Sequence, residues 1–394
     1  MRPTISSASL SNPFRAVIVL CLLPLLFLLT GCGVGTLNNS QPSSSSPSSD
    51  SSAQAESEHL SELEQGTKYL EEHASKNPKE LTGTATAQSV GAVLPLENPQ
   101  QPQLPVTVTD HQGTEVTVEK VDRILALDLY GTLAETVQGL GLADHLVGRV
   151  TSTTEPSLAQ LPVVTQNGHD LNAEAIIALH PDVILMDTTN GPLEITEQLR
   201  SAGLTVVHFD PKRSLHTISE QITAVAHALG VPESGERLNK RVSTELSLVQ
   251  ESIARVAPKE ESQKVSMAFL YVRGTAGVFF VLGQGSGADD LITSVSGIDA
   301  ASEGGAQGTT PATSEALVKL NPDLILTMTG GLESTGGYEG FLARPGVSET
   351  AAGKNHRIID MNDGQVLSFG PNTPAVLLSL AQAIYIPAQE AKTS

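Results

Sequence analysis

Short apolar runs alternate with segments of helical periodicity from Val106 onward. RILALD (residues 123–128), DVILMD (182–187) and TVVHFD (205–210) are compact apolar runs of strand length. Between the last two runs, PLEITEQLRSAG repeats its apolar residues every three or four positions, and its Gly203 suits the end of a helix. This alternation predicts parallel sheets covered by helices, which is an α/β fold.

The same pattern starts again in the second half of the chain. KVSMAFLYVRG (264–274), GVFFVL (277–282) and DLILTM (323–328) have the composition of strands, and the helical TPAVLLSLAQAIY closes the series. Between the halves, apolar residues recur at three- and four-residue steps, which predicts one long helix from about Pro232 to Val256. These residues are Leu238, Val242, Leu246, Val249 and Ile253. Such a helix would join two lobes stiffly.

One segment of the first half recurs in the second. AEAIIALHPDVIL (173–185) is echoed by SEALVKLNPDLIL (314–326), with glutamate, proline and aspartate at matching positions. In each copy a helix should stop at the residue before proline and a buried strand should follow. The echo favours two similar lobes with a cleft between them. The alternative is that helix, Pro-Asp and strand form a common α/β joint, which explains the shape without the matched glutamates.

The N-terminus has the features of an export signal. Arg2 and Arg15 flank the apolar run AVIVLCLLPLLFLL, which is too short to span a bilayer comfortably. LTGC follows and resembles the lipobox of bacterial lipoproteins, in which the cysteine, here Cys32, is acylated. The predictions are a signal peptide at 1–31 and a lipid anchor on the outer face of the cytoplasmic membrane. An uncleaved anchor with a coincidental cysteine is the alternative.

The domain plan follows from these patterns. Residues 32–105 are rich in serine and proline and are predicted to form a flexible tether, with a marginal helix at 57–75 that Gly66 interrupts. An N-terminal α/β lobe at 106–230, the connecting helix at 231–260 and a C-terminal α/β lobe at 261–394 complete the prediction.

Charge and motif content narrow the class of function. A formal net charge of −20 disfavours nucleic acid as a partner, because its recognition needs an excess of Lys and Arg. The glycines of VFFVLGQGSGAD imitate a dinucleotide-binding turn, but no strand leads to a suitably placed acid, and no G-x-S-x-G motif occurs. The ten histidines form no H-x-H or H-x-x-x-H group. We therefore predict that the protein is not an enzyme.

Tyr271 and Arg273 end the apolar run FLYVRG. Residues two apart in a strand point the same way, so both side chains share one face. Burying either without a partner is unfavourable, and ligands of open α/β sheets bind at the carboxyl ends of strands. The pair is either a ligand-binding group or a hydrogen-bonded strand end.

The combination of lipobox, tether, two α/β lobes and connecting helix resembles the substrate-binding proteins of ABC importers that carry cobalamin, siderophores or haem. The resemblance covers residues 106–385 and implies the class III fold, two Rossmann-like lobes joined by a single long helix. It also implies a monomer whose partners are an ABC permease and its ATPase. Several stretches are similar to the HmuT-like haem-binding lipoproteins of actinobacteria: GRVTSTTEP, GHDLNAEAIIALHPD, NGPLEITEQLRSAG, LYVRG and GQGSGADDLI.

That resemblance implies haem b as the transported ligand, with His169 and Tyr271 as the axial ligands of its iron and Arg273 supporting the tyrosine. By charge and by hydrogen bonding, a guanidinium would favour the phenolate, which is a suitable donor to ferric iron. Without the resemblance, His169 would be read as a loop or capping histidine. Met328 is either an alternative iron ligand or a packing residue. Three further residues are expected in the haem pocket: Arg149, Asn190 and Tyr338.

The resemblance also implies that Glu174 and Glu315, one in each lobe, dock onto basic residues of the permease. The alternative is that both are ordinary solvated helix glutamates. For the cargo, the alternative is cobalamin or a ferric siderophore carried by the same fold. The absence of tryptophan and the aromatic content of 3% weakly disfavour the aromatic-lined clefts of cobalamin binders.

Overall fold

A computed structural model describes residues 50–388, without the side chains of residues 50–53 and of Thr275. The strands, numbered in chain order, are β1 (Ala85–Thr86), β2 (Val106–Thr109), β3 (Glu115–Val118), β4 (Ile124–Leu127), β5 (Leu146–Gly148), β6 (Thr165–Gln166), β7 (Asp170–Leu171), β8 (Val183–Met186), β9 (Val206–His208), β10 (Ser266–Arg273), β11 (Val278–Leu282), β12 (Ile298–Asp299), β13 (Thr309–Pro311), β14 (Leu324–Met328) and β15 (Ile358–Met361).

The α-helices, numbered in the same way, are α1 (Asp50–His73), α2 (Thr132–Gly139), α3 (Ala173–Ala178), α4 (Leu193–Ser201), α5 (Ile218–Ala228), α6 (Pro232–Val256), α7 (Ala288–Ser294), α8 (Ala300–Glu303), α9 (Ser314–Leu320), α10 (Thr329–Glu333), α11 (Gly337–Leu342), α12 (Ala351–Lys354) and α13 (Thr373–Tyr385). Helices follow strands in both halves, as the alternating pattern predicts. The α/β fold class is confirmed.

The first half is built on a parallel sheet with the strand order β5-β4-β8-β9. All four residues of β4 and all four of β8 are buried. A strand covered on both faces must be apolar at every position, and this is why these runs do not alternate with polar residues.

The second half is built on a mixed sheet with the order β1-β15-β14-β10-β11-β13, and β12 also pairs with β10. Strands β1, β15, β14 and β10 are parallel, whereas β11 is antiparallel to both β10 and β13. Only a short turn separates Arg273 from Val278, with Gly277 in the left-handed region at φ 68. So short a connection can make a hairpin but cannot make a parallel crossover.

The internal echo has a structural basis that is the same in both halves. Asp182 accepts a hydrogen bond from the backbone N–H of Arg123 at 3.0 Å and donates its own N–H to the Arg123 carbonyl at 2.8 Å. Asp323 makes the same two bonds with Ser266, at 3.0 and 2.8 Å. Each Pro-Asp pair therefore ties the start of one strand to the start of its neighbour, β8 to β4 and β14 to β10.

The long helix between the halves is observed with the predicted bounds, as α6. Its apolar stripe is buried through Leu238, Val242, Val249 and Ile253. The helix packs against α5 of the first half and α13 of the second. Because it contacts both halves, α6 holds them in a common framework.

The prediction of a flexible tether with a marginal helix is wrong for residues 50–105. Helix α1 has 24 residues, buries Leu63 and Leu70, and packs on α6 and α13. Gly66 does not interrupt the helix. A Cβ at this position would lie 2.7 Å from Leu378 Cδ2, so the missing side chain lets α1 approach α13 closely. After α1, strand β1 adds to the edge of the second sheet beside β15.

The predicted signal peptide, Cys32 and the start of the serine-rich segment lie outside the described residues. Within residues 50–388, we find no helix with the length and apolar composition needed to cross a membrane.

Candidate functional site

His169 lies in a tight hairpin of the first half. Strands β6 and β7 pair antiparallel, and Asn167 and Gly168 between them are both left-handed, at φ 49 and 97. Asn-Gly is the sequence that favours such turns. The imidazole is half-buried, and its buried Nδ1 has no hydrogen-bond partner within the described residues.

The pKa of His169 is influenced by groups from both halves of the protein. Burial lowers its pKa first, the positive charge of Arg273 lowers it further, and Asp170 partly opposes both effects. A neutral imidazole is the form that binds metals. Because Arg273 belongs to β10, its influence also shows that the hairpin of the first half lies near the end of β10.

Tyr271 and Arg273 share one face of β10, as the strand period predicts. Both side chains are partly exposed, whereas Leu270 and Val272 on the other face are buried. The Arg273 Cζ atom lies 4.6 Å from the centroid of the Tyr271 ring, which is a cation–π arrangement. The guanidinium therefore covers the ring face, and it donates its hydrogen bonds to groups other than the phenol.

One of those groups ends the neighbouring strand β14, one follows strand β15, and the third is the backbone of β10 itself. The Arg273 Nη2 atom donates to Asp363 Oδ2 at 2.7 Å and lies 3.7 Å from the sulfur of Met328, while Nη1 donates to the Val272 carbonyl at 2.9 Å. Met328, the last residue of β14, is buried within this cluster. Asp363 was missed in the sequence analysis, although its place just after the apolar run RIIDM could have indicated it.

The carboxyl edge of the first sheet carries a buried ionic cluster that sequence reasoning also missed. Arg213 lies 3.3 Å from Asp128 and 2.5 Å from Asp187, and the three side chains are at most 2% exposed. The two aspartates directly follow β4 and β8, which is the sequence signal for this edge. Burial and the charge of Asp128 raise the pKa of Asp187, and Arg213 lowers it.

Tyr130 and Thr132 extend this cluster, and Thr132 connects it to the second half. The Arg213 Cζ atom lies 5.5 Å from the Tyr130 ring centroid, and burial raises the pKa of the phenol. Arg213 Nε also donates to the Thr132 hydroxyl at 3.1 Å, and that hydroxyl donates to the carbonyl of Ser368. The cluster is thereby tied to the second half through Ser368.

Two of the three remaining pocket candidates, Arg149 and Tyr338, make hydrogen bonds within the protein. Arg149 donates to the carbonyls of Thr153 and Ala159, both at 3.4 Å, and so holds the loop that carries TSTTEP. Tyr338 donates to Asp360 at 2.5 Å, and burial followed by this bond raises its pKa to about 12. Asn190 is 1% exposed and its amide has no hydrogen-bond partner within the described residues. Arg149 and Tyr338 are partly exposed, whereas Asn190 is buried.

The two halves touch directly beside the Tyr271 cluster. The hydroxyl of Thr154 donates to Asn362 Oδ1 at 3.3 Å. A Cβ on Gly364 would lie 2.8 Å from the carbonyl oxygen of Ser152, so only glycine allows this approach. On the other side, the N–H of Leu215 donates to Asp290 at 2.6 Å.

A separate concavity of about 340 Å³ lies between β2, β9 and α5. It is lined by Val108, Phe209 and Ala228 together with polar residues, and by none of the predicted site residues. We place the functional site instead at the facing carboxyl edges of the sheets, because His169, Tyr271 and charged side chains from the two halves converge there.

Glu174 and Glu315 occupy equivalent positions. Each is exposed in the first turn of its helix, α3 or α9. Each helix has a side-chain N-cap, Asn172 accepting from Ala175 and Thr313 accepting from Ala316, both at 3.1 Å. The two carboxylates are thus presented to solvent by the same local structure in each half.

Comparisons with known proteins agree with this architecture. Residues 128–364 match the family model described as periplasmic binding protein. The uncharacterised ABC transporter substrate-binding lipoprotein YvrC of Bacillus subtilis is 28% identical over 284 residues, covering 71% of this chain and 86% of YvrC. A cobalamin-binding protein of Halobacterium salinarum is 30% identical over 129 residues, 32% of this chain and 34% of that protein. The crystal structure of the haem-binding protein HmuT superposes with a TM-score of 0.76 at 44% identity, covering 78% of this chain and 99% of HmuT.

The chain belongs to the periplasmic binding protein family, with the class III fold. Its solved structural relatives include HmuT-like haem-binding proteins, which confirms the predicted resemblance. It is an extracytoplasmic substrate-binding protein of an ABC transporter, and the prediction of a binding protein and not an enzyme is confirmed.

Proposed function

We propose that this protein captures ferric haem b between its two halves and delivers it to an ABC permease. His169 and Tyr271 bind the iron from opposite sides, and Arg273 supports the tyrosine. The single observation that carries the proposal is the convergence of these groups. A half-buried imidazole from the first half lies within the electrostatic reach of a guanidinium that covers the phenol ring of the second half.

The chemistry of these residues fits the ligand. The unpartnered Nδ1 and the lowered pKa of His169 leave a neutral imidazole, and tyrosine and histidine are both established axial ligands of haem iron. Met328 lies beside Arg273, where its thioether is available as an alternative ligand. Asn190, Arg149 and Tyr338 are proposed to line the pocket, with Arg149 acting through the loop that it holds.

The protein binds its cargo and breaks none of its bonds. Release therefore requires docking on the permease to disturb the contacts between the halves. We further propose that the protein is exported, is anchored through a lipid on Cys32 and acts as a monomer at the outer face of the membrane.

Titration with hemin tests the cargo. The mature protein should give a saturable Soret shift with a phenolate charge-transfer band, and Tyr271→Phe should abolish that band and weaken binding at least tenfold, about 1.4 kcal/mol. Absorbance spectroscopy measures both effects. Tyr69→Phe, on α1, is the matched control and should leave the spectrum unchanged.

Cobalamin is the second candidate cargo, because the comparison with the Halobacterium protein supports it. Tight cobalamin binding together with an unchanged hemin spectrum would reject haem and favour this candidate. Such a result would leave the class of protein intact.

We propose that Glu174 and Glu315 dock onto basic residues of the permease. Reversing both charges, Glu174→Lys with Glu315→Lys, should reduce transport at least tenfold. Hemin affinity should stay unchanged, because both side chains are exposed and neither belongs to the proposed haem-binding residues. Uptake by cells and hemin titration measure the two properties.

The control exchanges one exposed helix glutamate in each half, Glu197→Lys with Glu303→Lys, for the same change in net charge. Equal loss of transport in the control pair would show a general charge effect and would remove the docking role.

A further inference from the structure

Phe280 lies on the same face of the second sheet as Tyr271. Strands β10 and β11 are antiparallel, and Tyr271 pairs directly with Phe280 in their register. Residues directly opposite in such a pair point to the same face, with their Cβ atoms about 4.5–5.5 Å apart. The ring of Phe280 is therefore the cross-strand neighbour of the candidate iron ligand.

The cover over this face ends at the same level on both strands. The preceding pair on this face, Phe269 and Leu282, is buried, with 0% and 7% exposure. Tyr271 and Phe280 form the first pair in which both residues are partly exposed. The two rings thus lie where the buried core ends and the open carboxyl edge of β10 begins.

The surroundings of Phe280 differ from those of Phe279 on the opposite face. Phe279 packs edge-to-face on Phe341, with ring centroids 6.5 Å apart, and belongs to the apolar cluster of that face. In the part of the chain that the structure describes, Phe280 stacks on no aromatic ring and belongs to no apolar cluster. Packing of the protein core therefore leaves the Phe280 ring free to contact a ligand.

Apolar side chains continue on both sides of Tyr271 at this level of the sheet. Phe280 pairs on its far side with Pro311 of the edge strand β13, and Pro311 is exposed. On the other side, Met328 lies 3.7 Å from Arg273, which shares the face of Tyr271. Phe280 and Pro311, which we call the apolar shelf, extend the candidate site from the tyrosine to the edge of the sheet.

We propose that Phe280 contacts the macrocycle of the cargo and gives the site affinity for a flat, conjugated tetrapyrrole independently of the iron. A porphyrin whose iron is bound by Tyr271 extends outward from that iron and therefore over the side chains next to the tyrosine. The apolar shelf offers it an aromatic ring and a proline ring at this place. Neighbouring side chains thereby bind the iron and the macrocycle. This inference rests on the proposed function.

Metal-free protoporphyrin IX separates contact with the macrocycle from binding of the iron. The parent protein should bind this probe, which saturable quenching of the porphyrin fluorescence would show. Phe280→Ala should weaken binding of both the probe and hemin about tenfold. Tyr271→Phe should weaken hemin binding by a larger factor than probe binding, because the probe carries no iron for the phenol to bind.

A second variant and a control accompany Phe280→Ala. Phe280→Thr replaces the ring with a β-branched side chain that suits a strand, and it should weaken binding of both ligands in the same way. Val318→Ala shortens an apolar side chain that is 47% exposed on α9, and it should leave both affinities unchanged. Thermal melts check that the variants are folded, which is expected because Phe280 is only partly buried.

Three results would overturn the inference. They are unchanged affinities in the folded Phe280 variants, a loss confined to hemin, and a parent protein that binds hemin but not protoporphyrin IX. A parent protein that does not bind hemin would instead reject the proposed function, and the two failures are therefore distinguishable.

Discussion

Replacing Arg213 by methionine is expected to lower the free energy of unfolding by about 3–5 kcal/mol. The variant leaves Asp128 and Asp187 buried at the same sheet edge with no cation between them. Methionine roughly fills the space of the aliphatic part of the arginine, so the loss arises mainly from uncompensated charge. Denaturant unfolding followed by circular dichroism measures it.

The loss in the Arg213 variant should also depend on pH. With the cation gone, protonation of Asp187, whose pKa is raised by burial and by the charge of Asp128, relieves the repulsion, so the variant should recover part of its stability as the pH falls. Arg255→Met is the control, since Arg255 is 53% exposed and pairs with Glu71 on the surface. Such surface pairs contribute about 1 kcal/mol or less. Equal losses in the two variants would contradict a special role for the buried cluster.

The parts of the fold that sequence predicted well are those with a local periodic signal. The bounds of α6 follow from its three- and four-residue apolar steps, and the strands of the first sheet follow from uninterrupted apolar runs. Helix α1 was misjudged because its apolar residues are sparse and Gly66 appeared to break it. The reason for that glycine is the proximity of Leu378, more than 300 residues away in the chain, which no local pattern reveals.

The residues of the candidate site also divide into those with a signal in the sequence and those without one. Tyr271 and Arg273 are visible from a period of two in one strand, whereas His169 was predicted only through the family resemblance of the segment that begins GHDLN. Arg213 and Asp363 were missed because each is a single polar residue in a loop. The role of each depends on partners that other parts of the chain supply. Long-range pairing of this kind is a property of the assembled sheets, although aspartate directly after an apolar strand is a usable hint.

The protein should lose stability between pH about 5 and about 8 because of one buried carboxyl, Glu135. This residue of α2 is fully buried, accepts the N–H of Asn372 at 2.5 Å and packs against Gly370. No cation faces it. The ionisable groups that influence it are Glu155 and Asp128, both of which disfavour its ionisation, and burial is the main cause that raises its pKa to about 8.

The direction of this pH dependence follows from the number of protons that the folded and unfolded states bind. Between the unfolded value of 4.5 and about 8, folded Glu135 holds a proton that the unfolded chain has released. The stabilisation that protonated Glu135 contributes is therefore complete below the pKa of the unfolded state. It is lost as the pH rises through the pKa of the folded state, by about 1.4 kcal/mol per pH unit. Above the folded value the loss is complete.

Glu135→Gln should remove this dependence while its amide oxygen still accepts from Asn372. The free energy of unfolding of the variant minus that of the parent should therefore rise by several kcal/mol from pH about 5 to about 8, as denaturant unfolding at several pH values would show. Glu251→Gln, exposed on α6, should give a constant difference. A constant difference for Glu135→Gln as well would mean that Glu135 is already ionised in the folded protein.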